Sequence, residues 1–268
     1  MEISPIPQTP AASSPVEIRP LGLADPFRWL ALGWRDVRAA PGIALFYGTC
    51  FWGMALLIGW LFRSRPEYVM SLASGCLLLG PFLAMGLYDA SRRLEAGQAP
   101  ELGRSITAWD AHIPSMAMLV LVLVVLELLW GRASMVVFAV FFNTGMPTTA
   151  GVMQAVFSVE NWEFLAVYLL VGGTFAVLAF AGMVVALPMI LDRDTDALTA
   201  CITSFRVVAS QTGVMLLWGV LITLLVGLSL WAWGLGLLLT GPLLGCASWH
   251  AYRFAVQPGP AAVPQAIT

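Results

Sequence analysis

The chain has 268 residues, of which 59% are apolar and only 10% charged, and its formal net charge is −2. Soluble domains carry about 25% charged residues, so this composition excludes an ordinary water-soluble fold. A net charge of −2 also gives no polybasic tail for nucleic acid or for an anionic lipid surface.

Taken in chain order, residues 1–20 are rich in Pro, Ser and Ala. They have no apolar core and no early Arg, so they do not read as a signal peptide. The expectation is a disordered leader over 1–22. Asp25-Pro26 then opens a short helix in which Phe27, Leu30 and Trp34 form one apolar stripe. Arg28, Arg35 and Arg38 fall on its other faces.

The first long apolar run is Ile43–Phe62, and the second is Val69–Tyr88, which contains Gly80-Pro81. Asp89 follows, three and four residues before Arg92 and Arg93, the spacing of ion pairs on one helix face. A second short helix starts at Pro100 and places Leu102, Ile106 and Trp109 on one stripe.

The third run, Pro114–Trp130, carries Glu127 near its end and Arg132 just beyond. The expectation is a span ending near Trp130, with Ser134–Phe142 lying along the outer interface; the alternative is a tilted span reaching Phe142. An intramembrane acid is a candidate proton or cation site. The competing reading has Glu127 reaching water or Arg132 near that interface.

After a loop at Asn143–Asn161 without basic residues, the fourth run is Phe164–Leu191, interrupted by Pro188. A third short helix starts at Asp196, with Leu198, Ile202 and Phe205 as its stripe. Asp192, Asp194 and Asp196 resemble the opening of a calcium loop, but the glycine and distal Glu of such a loop are missing, so no metal site is assigned.

From Val207 to Trp249, forty-three residues contain no Asp, Glu, Lys, Arg or His. A helix needs about 20 residues to cross a bilayer, so this stretch predicts a helical hairpin through lipid. Its runs are Val214–Leu230 and Trp233–Ala255, the latter with Gly241-Pro242. The tail, 257–268, is expected to be disordered.

Six spans follow, in a membrane domain over 23–256. Ten arginines, among them Arg19, Arg35, Arg92, Arg193 and Arg253, fall on one side of such a topology. Arg63, Arg65 and Arg132 fall on the other. Basic residues concentrate on the cytoplasmic side, which predicts that both termini are cytoplasmic in a bacterial inner membrane.

The chain also reads as three units, about 23–95, 96–192 and 193–256. Trp34-Arg35 and Phe205-Arg206 stand at the same distance before Gly42 and Gly213, and before Gly48 and Gly219. The even-numbered spans share Pro81, Pro188 and Pro242, each expected to kink its helix. Each unit is therefore a short amphipathic interfacial helix, a span out and a kinked span back.

Several of these segments resemble an integral-membrane family called domain of unknown function 2189. They are Gly33-Trp34-Arg35-Asp36, Gly80-Pro81-Phe82-Leu83 through Ser91-Arg92-Arg93-Leu94-Glu95, Leu191-Asp192-Arg193-Asp194, and Trp249-His250-Ala251-Tyr252-Arg253. The resemblance implies a multi-pass membrane protein without a settled function. The resemblance extends to members of that family that are labelled as cytochrome c oxidase subunits. A haem–copper catalytic subunit needs about six His ligands, and this chain has only His112 and His250. An accessory subunit of such a complex needs no ligands and stays open.

No serine-hydrolase elbow, zinc-protease helix or phosphate loop occurs in the sequence. Cys50, Cys76, Cys201 and Cys246 read as buried thiols, neither a disulfide framework nor a metal centre. His250 is expected to hydrogen-bond at the inner interface beside Trp249, Tyr252 and Arg253, with a pH-sensing role as the alternative. The resulting expectation is a non-catalytic accessory or scaffold component of a membrane complex, with no cofactor. Its partners would be the lipid bilayer and other membrane subunits. The alternative is a small-solute or ion transporter with a path near the proline-kinked helices. The two differ in whether Pro81, Pro188 and Pro242 converge on a polar cavity.

Overall fold

A computed structural model describes residues 16–64, 69–142 and 161–258. They are almost entirely helical. The elements are β1 (Val16–Ile18), α1 (Asp25–Ala39), α2 (Pro41–Ser64), α3 (Val69–Glu95), α4 (Leu102–Ile106) and α5 (Ile113–Phe141). From residue 161 onward come α6 (Trp162–Met183), α7 (Ala186–Arg193), α8 (Ala197–Ser210), α9 (Thr212–Trp231), α10 (Leu237–Ala255) and β2 (Val256–Pro258). Four stretches among the described residues are long and apolar enough to cross a membrane: α2, the run Leu102–Phe141, the run Trp162–Arg193, and α9. The remaining two apolar runs fold as α3 and α10.

The last long helix, α10, is the hub of the bundle, with α1, α2, α3 and α9 packed around it. Glycines set how closely the helices approach. A Cβ on Gly33 of α1 would stand 2.8 Å from the Ala247 backbone nitrogen of α10 and 2.9 Å from the Leu243 carbonyl. One on Gly48 of α2 would overlap the Leu238 carbonyl oxygen. With no water to displace between apolar helices in lipid, close backbone packing of this kind drives their association.

Helix α1 packs into the bundle through a face other than its Phe27, Leu30 and Trp34 stripe. Phe27 and Trp34 are exposed, while Trp29, Gly33, Asp36 and Val37 are buried. In α8 the same division holds: Leu198, Ile202 and Phe205 are exposed, and Ala197, Ala200, Ser204 and Val207 are buried. The buried faces approach their neighbours through small residues, Gly33 in α1 and Ala197, Ala200 and Ser204 in α8, and α1 also buries Trp29. Trp29 and Trp218 meet edge to face, with ring centroids 5.5 Å apart, at the centre of the main apolar core.

The third run departs from expectation. Helix α5 continues without a break through Trp130-Gly131 to Phe141, so Ser134–Phe142 does not form a separate interfacial segment. The reason is aromatic packing against α6. Phe138 and Phe142 stand 4.9 and 5.0 Å from Phe164, and Phe138 lies 5.7 Å from Tyr168. These contacts hold the distal turns of α5 upright against the start of α6.

The fourth run breaks. Helix α6 ends at Met183, and α7 starts again at Ala186. Pro188 has no N–H to bond the carbonyl four residues back, which frees this turn. The Val185 N–H is taken up by Ser204 Oγ of α8 at 3.1 Å. By contrast, Pro81 and Pro242 lie inside continuous helices.

Where the expected leader and tail enter the described residues, Val16–Ile18 and Val256–Pro258 pair as two antiparallel strands. Asp25 does not cap α1 in the usual way. Its carboxylate accepts from the Gly22 N–H at 2.7 Å and pairs with Arg28 at 3.1 Å.

Candidate functional site

The polar side chains of the bundle gather at the end where α1, α3, α7 and α10 meet. The centre of this belt is Asp36 of α1, 2% exposed, whose Oδ2 lies 2.7 Å from Nε2 of His250, 5% exposed, on α10. Arg35 adds a contact of 3.5 Å to the other carboxylate oxygen. Asp36 reaches the interior because it follows Trp29 and Gly33 at helical spacing, on the face that α10 covers.

Beside it, Asp89 of α3, 1% exposed, accepts from Arg92 at 2.6 Å and from Arg93 at 2.7 Å. Arg92 also donates to the Leu191 carbonyl at 3.2 Å, tying α3 to α7. Glu95, one turn on, accepts from the Trp249 indole N–H at 2.9 Å and from Arg253 Nε at 3.1 Å. Tyr252 donates its hydroxyl to Asp192 at 2.7 Å and accepts from Arg193 Nε at 3.1 Å. Every carboxylate in this belt meets a donor from another residue, which is what a buried charge requires.

The three Asp residues after α7 part company. Asp192 faces Tyr252; Asp194, in a left-handed conformation at φ 50°, lies 3.1 Å from His112 Nδ1; Asp196 caps α8 by accepting from the Thr199 N–H at 2.9 Å. That backbone bond holds the Asp196 carboxyl below the usual carboxylate range. Each acid has its own partner, and no cluster of three potential metal ligands occurs among the described residues.

Glu127 is half-buried on α5 and engaged in an interaction, and Arg132 is exposed beyond it. Neither joins the belt. His250 meets Asp36 of α1, a partner outside the neighbours expected from sequence. Asp36 and Glu95 were not singled out as site residues. The signal that points to Asp36 is the spacing of Trp29, Gly33 and Asp36, which marks a buried face carrying a charge.

Among the described residues, the cavity beside Pro81 and Pro242 is not a polar one shared by all three prolines. A cavity of about 590 Å³ lies among α2, α3, α9 and α10, and Gly80 and Gly241, the residues before Pro81 and Pro242, line it. Its walls are side chains such as Phe51, Ile58, Leu87 and Val226, with no carboxylate, guanidinium or imidazole. No residue of the Pro188 segment lines it. At the opposite end from the polar belt, Trp60, Trp231 and Trp233 are exposed, and the Arg63 guanidinium sits 4.5 Å from the Trp233 ring centroid. Exposed Trp of this kind suits a membrane–water boundary.

Residues 69–192 match the model of a family described as "Predicted integral membrane protein (DUF2189)". Neither the curated proteins nor the solved structures include a match to the chain.

Proposed function

We propose that this membrane protein, whose segment 69–192 matches the model of that integral-membrane family, is a non-catalytic accessory or scaffold component of a larger membrane complex. In this reading it crosses a bacterial inner membrane six times, with α3 and α10 added to the four strongly apolar stretches. The three hairpin units each begin with a short helix, α1, α4 or α8, whose outward apolar residues dip into the interface. The preponderance of Arg on the belt side supports cytoplasmic termini.

The observation that carries the reading is the division of chemistry along the bundle. The buried charges of the belt are occupied with one another and join α1, α3, α7 and α10. The cavity of about 590 Å³ beside Gly80 and Gly241 is walled mainly by apolar side chains. A transport path needs polar or charged groups facing that space, because an ion leaving water must be offered replacement ligands.

The test is extraction of the tagged full-length chain into lipid nanodiscs, followed by quantitative mass spectrometry of what co-purifies. A membrane protein recovered in stoichiometric amount supports the accessory role. A lone oligomer that conducts ions or solutes in proteoliposomes overturns it. Reporters fused at the two ends must fall on the same, cytoplasmic, face if the span number is even.

A further inference from the structure

The belt opens outward into a second cavity of about 300 Å³, lined by Arg19, Leu32, Arg35, Glu95, His250, Arg253 and Phe254. Three arginines from three separate parts of the chain meet there. Arg19 follows β1 and is anchored through its backbone N–H to the Ala255 carbonyl at 3.0 Å. Arg35 comes from α1 and Arg253 from α10. No run of basic residues in the sequence announces this, because the pairing of β1 with β2 is what carries Arg19 to the end of α10.

The state of the hydrogen-bonding groups decides what the cavity can take. Both oxygens of Glu95 are already occupied, by Trp249 and Arg253. Asp36 lies behind the wall and is bonded to His250. Among the described residues, the Arg19 guanidinium makes no hydrogen bond or ion pair, and Arg35 makes only its 3.5 Å contact with Asp36. The cavity therefore offers unused N–H donors from Arg19 and Arg35, while its carboxylates are already engaged. A planar guanidinium fork suits the oxygens of a phosphate group. Leu32 and Phe254 give the same cavity an apolar wall.

We propose that this cavity binds a phosphate oxyanion, through Arg19 and Arg35, at the outer rim of the polar belt. The phosphate of an anionic phospholipid headgroup and a free phosphate ion share the chemistry. The inference stands apart from the accessory role, since a scaffold or a transporter could carry such a site.

The test uses the purified full-length chain in detergent micelles, with thermal melting as the readout. The probes are dioctanoyl phosphatidylglycerol, dioctanoyl phosphatidylcholine and inorganic phosphate. A saturable rise in Tm with phosphatidylglycerol, absent with phosphatidylcholine and phosphate, assigns a lipid headgroup. A rise with inorganic phosphate as well assigns a site for the free ion. In either case R19Q/R35Q weakens the half-saturating concentration roughly 10- to 30-fold, as expected for two arginines near an anionic group. Both side chains are exposed, so the variant is expected to melt as the parent does. Should it not, the salt dependence of the parent decides: stabilisation must fall as sodium chloride is raised. No rise with either anion, an equal rise with phosphatidylcholine, an equal rise in R19Q/R35Q, or a response indifferent to salt overturns the proposal.

Discussion

His250 and Asp36 stand 2.7 Å apart although 214 positions separate them in the chain, and both are almost wholly buried. The contact joins α1 to the last long helix, so the closing of the bundle at this end depends on helices from the two extremes of the sequence. Loss of one partner leaves the other polar group without compensation in a dry interior. His250→Ala is therefore expected to cost roughly 3–5 kcal/mol, the range for breaking a buried pair by removing one member. Asp36→Asn, which keeps an acceptor for the imidazole N–H, is expected to cost clearly less. Chemical or thermal unfolding in micelles checks the order; equal losses for the two variants would show that the pair is not coupled.

Gly48 and Gly42 lie on the same helix and make a matched comparison. A Cβ at Gly48 would meet the Leu238 backbone of α10, whereas one at Gly42 has nothing within 4 Å. Gly48→Ala is expected to separate α2 from α10 and lower Tm. Gly42→Ala is expected to leave Tm unchanged or raised, because Ala is a better helix former by about 1 kcal/mol. Equal Tm values for the two proteins would contradict the close approach.

Asp196 is a helix cap whose carboxyl is held below its usual value by the Thr199 N–H. Asp196→Ala is expected to cost about 1 kcal/mol at neutral pH. Because the folded value is depressed, the cap's ionic contribution is complete above the unfolded value of about 3.9 and is lost as pH falls through the folded value. Stability curves of the parent and of Asp196→Asn should thus converge on acidification below that pH. Curves that stay parallel through the acid range would rule the carboxylate out as their source.

Phe164 is buried under Phe138, Phe141 and Phe142 and next to Tyr168. Truncating it removes the packing that keeps α5 helical to its end. Phe164→Ala is expected to cost roughly 3–5 kcal/mol. It should also speed hydrogen exchange in the last two turns of α5, with little change in α10. Exchange rising uniformly across the bundle would argue against a local role.

The local parts of the belt were legible before the fold was known. Asp89 with Arg92 and Arg93 follows from spacing of three and four on a helix, and the Asp196 cap follows from its place before an apolar run. Both are contacts within one turn. The partners of His250, Glu95 and Asp192 were not legible, because each lies on a helix at least 60 residues away, or 154 for Glu95 and Trp249. The stripes Phe27 and Trp34 of α1 and Leu198, Ile202 and Phe205 of α8 follow from helical spacing, and all five residues lie outward. In a bilayer large apolar residues are content to face lipid, so size no longer marks the buried side as it does in water.

Membrane residence could be read from the residues alone, since hydropathy and the absence of charge over forty-three positions are properties of a local stretch. Which charges meet which was decided only by tertiary packing. Helix–helix approach at Gly33 and Gly48 and the pairing of Val16–Ile18 with Val256–Pro258 bring distant segments together. That selection rests on shape and on the need of each buried charge for a partner, and neither is local in the chain.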